Sequence, residues 1–163
     1  MISNRMPTDP VTAAEITARL CRAFTEYPPD ETVLGRAIRY WSSQEVLRPI
    51  GGPHTGRGRE RLFKSEEILR AAILFQLAKF DVAIGTMKLM MKEIDAEIDA
   101  VTPGGDMIDL LDRAAENRYF VWTTWGYPAA YQLAFTVRNP APPAKLYPRM
   151  SVYARVWRER LGL

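Results

Sequence analysis

Arg36-Ala-Ile-Arg-Tyr-Trp-Ser-Ser-Gln-Glu-Val-Leu-Arg-Pro49 runs straight into Ile50-Gly-Gly-Pro-His-Thr-Gly-Arg-Gly-Arg-Glu-Arg-Leu-Phe63. The first half is helical in pattern. Leu34, Ala37, Ile38 and Trp41 recur on one side at the 3.6-residue repeat, which carries the helix to about Glu45. The second half cannot continue it. Pro49, Pro53 and four glycines break any helix, and Leu62-Phe63 closes the stretch. Two short strands joined by a basic loop fit these residues.

Upstream, Thr12-Ala-Ala-Glu15 has the form of a capping box. Ile16, Leu20, Ala23, Phe24 and Tyr27 follow at helical spacing, and Pro28-Pro29 ends that helix. Asp30 is placed to cap the next one. Downstream, Ser65-Glu-Glu opens a third helix with the stripe Leu69, Ala72, Ile73, Leu77 and Phe80. A break at Asp81-Val82-Ala83 precedes a fourth helix. There Ile84, Met87, Met91, Ile94, Ile98 and Val101 alternate three and four apart. That spacing suits either a helix lying on its own core or a dimer seam formed by Ile84, Met87, Met91, Ile94 and Ile98.

Thr102-Pro-Gly-Gly105 reads as a linker, dividing residues 1–101 from a small α+β unit at 106–163. In that unit Met107, Leu110, Leu111 and Ala114 suggest a helix. Tyr119–Trp125 and Tyr131–Arg138 suggest two strands, and Ser151–Leu161 a last basic helix. Trp122, Trp125, Tyr127, Tyr131, Phe135 and Trp157 gather there. They suit a small core or a protein or ligand surface. The expected class is mainly α within α+β.

The 163 residues carry a net charge of only +3, but that charge is segregated. Residues 30–64 hold seven basic side chains against four acidic, and residues 65–112 hold four against ten. Residues 113–163 return to eight against two. Arg57, Arg59, Arg61 and Lys64 form the tightest basic run, suited to solvated surface or to phosphate. No segment approaches the roughly 18 apolar residues of a membrane span. The start of the chain lacks the apolar core of a secretory signal, so a cytoplasmic, nucleoid-associated protein is expected.

One cysteine, Cys21, excludes an internal disulfide and any multi-cysteine metal site. One histidine, His54, excludes His-rich sites. No phosphate-binding loop, dinucleotide fingerprint or nucleophile elbow is present. Asp106, Asp109 and Asp112 lie three apart in a row, which suits a solvated face better than a cation cage. These residues point to no enzyme, catalytic group, metal or cofactor.

The stretch Arg36–Pro49 resembles the recognition segment of the MerR family, which reads Arg-Thr-Leu-Arg-Tyr-Tyr, a short gap, then Leu-Leu-x-Pro. The spacing matches without a gap. Arg61-Leu-Phe-Lys-Ser-Glu-Glu-Ile68 is similar to the family's Arg-x-Tyr-x-x-x-Asp-Leu. The resemblance spans residues 12–92. It departs in the long Cys21–Gly35 connection, in the longer glycine-rich loop, and in Asp81, where the family keeps a glycine.

The resemblance implies a winged helix-turn-helix, with the basic hairpin as its wing. Its second helix would enter the major groove of double-stranded DNA, presenting Thr32, Arg36, Arg39 and Tyr40. Arginine gives two hydrogen bonds to guanine and tyrosine suits a phosphate. In the wing, His54, Thr55, Arg57, Arg59, Arg61 and Lys64 would meet the flanking backbone or minor groove. Arg61 is open to a second role, pairing structurally within the fold. The expected function is a sequence-specific transcriptional regulator, as a homodimer on a pseudo-palindrome, with a possible protein partner at the aromatic C-terminal unit. An excisionase-like recombination factor and a protein–protein adaptor without DNA remain as alternatives.

Overall fold

The computed structural model describes residues 10–26, 28–52, 60–101, 103–109, 120–124, 132–136, 149–153 and 159–163. The chain is mainly helical with antiparallel strands. Its elements are β1 (Val11–Thr12), α1 (Ala13–Ala23), α2 (Glu31–Ser43), β2 (Leu62–Phe63), α3 (Glu66–Lys79), α4 (Ile84–Val101), β3 (Phe120–Thr124), β4 (Gln132–Thr136) and β5 (Arg149–Tyr153). No helix among the described residues is long and apolar enough to cross a membrane.

Two compact units share the chain. The first contains residues up to Phe75 together with Arg160–Leu163, and the second contains Gln76–Glu159. The line therefore falls inside α3, whereas the linker composition suggested one after Val101.

In the first unit, Thr12 caps α1, its hydroxyl accepting the Glu15 amide at 3.1 Å. The reciprocal half of the box is not made. The Glu15 carboxylate instead accepts from Arg19 Nη2 at 2.6 Å. Ile16, Leu20 and Ala23 are buried as their spacing predicts. The helix ends at Phe24, before the two prolines, and the Phe24 ring meets Phe75 of α3 at a 5.2 Å centroid distance. At Gly35, α2 faces Thr17 of α1: a Cβ there would meet Thr17 Oγ1 at 3.9 Å, an ordinary van der Waals distance. Val11 and Thr12 pair antiparallel with Phe63 and Leu62. On the other side of Phe63 an antiparallel bridge joins Pro49, and the Ile50 amide donates to the Leu62 carbonyl at 2.7 Å. Among the described residues, the two short strands expected over 48–63 meet at this root. Residues 53–59 lie outside the described residues.

The third helix is buried on every side from Glu67 to Leu74, including Ile68, Leu69, Ala71, Ala72 and Ile73. Phe80, read as the end of its stripe, is instead 53% exposed. The helix has already stopped at Lys79, so the 3.6-residue repeat no longer sets the direction of Phe80. The last residues of the chain return to this unit. Leu161 is buried, and Arg19 Nη1 donates to the Gly162 carbonyl at 3.1 Å.

In the second unit the chain turns at Asp81, whose φ of +53° is left-handed. Met87, Met91, Ile94 and Ile98 of α4 are buried within this single chain, and Ile84 is half-buried. The three-four spacing thus serves the chain's own core, which leaves those four side chains covered without a second copy. Asp106 and Asp109 cap one another's turn. The Asp106 carboxylate accepts the Ile108 and Asp109 amides at 2.8 and 2.9 Å, and Asp109 Oδ2 accepts the Asp106 amide at 2.9 Å. Residues 107–109 are helical, while Leu110, Leu111 and Ala114 of the expected helix lie outside the described residues.

The expected strands form, with Val121 opposite Phe135 and Thr123 opposite Leu133. The expected Ser151–Leu161 helix is corrected. Residues 149–153 are a strand, β5, antiparallel to β3, giving the order β4-β3-β5. Met150 and Val152 are two apart, so the segment fits a strand's alternation as well as a helix's repeat. An available edge on β3 satisfies its backbone groups. Further along that segment residues 159–161 are helical, and residues 154–158 lie outside the described residues.

Candidate functional site

The second helix begins where Asp30 Oδ1 accepts the Val33 amide at 2.8 Å, as its place in the sequence predicts. Leu34, Ile38, Trp41 and Ser42 are buried and anchor one face. The opposite face is set by the same geometry. At 100° per residue, Arg36 lies at its middle, with Thr32, Arg39 and Ser43 along one side and Val33 and Tyr40 along the other. All six are exposed. Among the described residues no carboxylate pairs with Arg36 or Arg39. Glu45, six residues beyond Arg39, is turned out of the helix by its own backbone at φ +59°.

That left-handed residue ends α2. The Val46 and Leu47 amides return to the Trp41 carbonyl at 2.9 and 3.3 Å, and both side chains are buried. The chain then enters the hairpin root. Pro49 opposite Phe63 places Arg48 opposite Lys64 and Ile50 opposite Leu62. Phe63 points inward and is fully buried, so by strand alternation these four flank it on the outer face, where all are exposed.

Both ends of the root are tied to helices. At the start, the Arg48 amide donates to Glu67 Oε2 at 2.9 Å. Glu67 is 1% exposed, and its Oε1 accepts from Arg70 Nε at 3.2 Å, from a side chain that is itself buried. Burial pushes the Glu67 carboxyl above the usual carboxylate range, against the opposing pull of Arg70 and the Arg48 amide. At the end, Arg61 Nη1 donates to Ser42 Oγ at 3.1 Å and to the Arg39 carbonyl at 3.5 Å. Arg61 thus sits at the C-terminal turn of α2, where the helix dipole favours a cation. Its structural alternative is realised, though with a hydroxyl and a carbonyl in place of an acid.

Of the residues singled out from sequence, Thr32, Arg36, Arg39 and Tyr40 therefore share one exposed helix face, and Lys64 lies on the hairpin root. His54, Thr55, Arg57 and Arg59 lie outside the described residues. Glu67 and Arg70 were missed. The signal was present: Arg70 interrupts the apolar run Ile68–Leu74 three residues after Glu67, and two such residues can avoid an isolated buried charge only by pairing.

The Cys21 thiol donates to the Pro29 carbonyl at 3.7 Å. Burial, with the nearby carboxylates of Glu31 and Asp30, pushes it up and keeps it neutral. No group of three or more potential metal ligands occurs among the described residues. Compared with known proteins, the chain matches no family model and finds no significant match among curated sequences.

Proposed function

We propose that the chain is a sequence-specific regulator that binds double-stranded DNA through a winged helix-turn-helix. In this reading α2 lies in the major groove, and the hairpin rooted at Arg48–Ile50 and Arg61–Lys64 meets the flanking backbone. The observation that carries the reading is the outward face of α2. Two arginines, a threonine and a tyrosine converge there, no described carboxylate neutralises the arginines, and the opposite face anchors the helix rigidly. A recognition helix needs both properties: donors aimed outward and a core that fixes their register.

The resemblance to the MerR family supports the same reading. At Asp81, where that family keeps a glycine, the backbone adopts the left-handed conformation that glycine takes most easily. Aspartate is among the few other residues that enter this region. The homodimer remains part of the proposal. A single module of this kind buries only about 600–1,000 Å² on DNA, so specific regulation is expected to use two copies.

Selection of bound sequences from a random duplex pool tests the proposal. An enriched motif, repeated about one helical turn apart, is the expected result. Arg36→Ala should then relax preference at one base pair. Arg57→Ala with Arg59→Ala should weaken binding to all sequences alike and flatten the salt slope by about 1 per lost phosphate contact. No enrichment at any salt concentration would refute the reading.

A further inference from the structure

The outward face of α2 contains one residue that hydrogen bonding and phosphate contact do not use. Val33 is 61% exposed, the most exposed large apolar side chain among the described residues. Its amide is held by Asp30, so its backbone is fixed at the first turn of the helix. Its branched side chain has little rotamer freedom there. Arg36 follows three residues later and Tyr40 seven, which places all three along one edge of the outward face. Glu31 is five residues from Arg36, about 140° around the helix, and so does not share that edge.

We infer that Val33 is a specificity residue that packs on the C5-methyl group of a thymine, beside a guanine read by Arg36. The inference rests on the proposed function, and it adds the identity of a base that the arginines cannot supply. In the major groove only two features distinguish a pyrimidine that offers no donor: the thymine O4 acceptor and its methyl group. A rigid, exposed, apolar side chain matches the methyl and nothing else on the base edges. Its place in the first turn matters, because the N-terminal residues of a recognition helix are the ones that reach base edges. A valine facing water alone loses nothing on truncation. One facing a methyl group loses a contact worth roughly 0.8 kcal/mol, which corresponds to about fourfold in affinity.

The test uses the full chain and the duplex enriched by selection, titrated by fluorescence anisotropy. Each thymine is replaced in turn by uracil, which removes only the methyl group. At one position the wild-type chain is expected to lose about fourfold in affinity. Val33→Ala should bind the thymine duplex about fourfold more weakly and show no thymine–uracil difference at that position. A 5-methylcytosine·guanine pair placed there restores the methyl without the O4 acceptor, and should recover more affinity for wild type than unmethylated cytosine does. Sensitivity to uracil that persists unchanged in Val33→Ala overturns the inference, as does the absence of any sensitive thymine. Either result leaves DNA binding itself intact. Failure to enrich any duplex instead overturns the proposed function, and this inference with it. Val33 is exposed and alanine favours helix, so the variant is expected to fold.

Discussion

Glu67→Ala should be among the most damaging single substitutions in this chain, although Glu67 touches no candidate ligand. Its carboxylate is enclosed beside a guanidinium that is also enclosed, with side chains 2% and 4% exposed. It accepts one charge-assisted hydrogen bond from the Arg48 amide, worth about 1.5–3 kcal/mol. Truncation also removes the carboxylate from beside Arg70, which keeps its charge. Breaking one side of a buried pair costs about 3–5 kcal/mol in total. With a urea slope of about 2 kcal/mol per molar, the unfolding midpoint followed by circular dichroism should fall by about 2 M.

Replacing both partners, Glu67→Met with Arg70→Met, should cost clearly less than the two single losses added together. No charge is then left buried, and the apolar chains occupy similar space. The same variants bear on the site, because Arg48 is where the chain leaves for the hairpin. A loss below about 1 kcal/mol for Glu67→Ala, or strict additivity in the pair, would refute the reasoning.

Other expected outcomes follow from single positions. The raised carboxyl of Glu67 means that the folded chain holds this proton more tightly than the unfolded chain does. The pH-dependent part of its contribution is therefore complete below the usual carboxylate pKa and is lost as pH rises through the raised value, while its bonds to the Arg48 amide and Arg70 remain. The stability of wild type relative to Glu67→Gln should thus improve on acidification from neutral pH; the opposite slope would mean that the pull of Arg70 outweighs desolvation. Gly85→Ala, in the first turn of α4 where an added Cβ meets nothing, should raise stability by about 0.5–1 kcal/mol in urea titration. Glu45→Gly should relieve a left-handed backbone and stabilise by up to about 1 kcal/mol. Leu161→Ala should destabilise by about 2–4 kcal/mol in thermal or urea unfolding, since this side chain is 2% exposed.

Much of the helical framework was legible because its signals are local. Thr12 and Asp30 cap the next turn with their own side chains, and both bonds form. The buried faces of α1, α2 and α4 follow the 3.6-residue repeat. Legibility failed where local pattern underdetermines the answer. Arg149–Tyr153 carries alternation compatible with either state, and its partner strand begins 29 residues earlier in sequence, at Phe120. Phe80 continued a stripe that had lost its helix. The α4 seam had the spacing of a dimer contact, and spacing alone cannot tell a second chain from the same one.

The candidate site divides along the same line. Sequence by itself determined that α2 has an apolar face and a face with Thr32, Arg36, Arg39 and Tyr40, because helical geometry assigns faces from spacing alone. It could not say which cations are available. Arg36 and Arg61 both belong to the basic stretch around the hairpin, yet Arg36 faces outward while Arg61 holds Ser42 and the Arg39 carbonyl. The Glu67–Arg70 pair and its hold on the Arg48 amide likewise join residues up to 22 positions apart. Whether a charge meets solvent, a carbonyl or a buried partner depends on which distant segment lies within about 3 Å of it, and only the tertiary structure decides that.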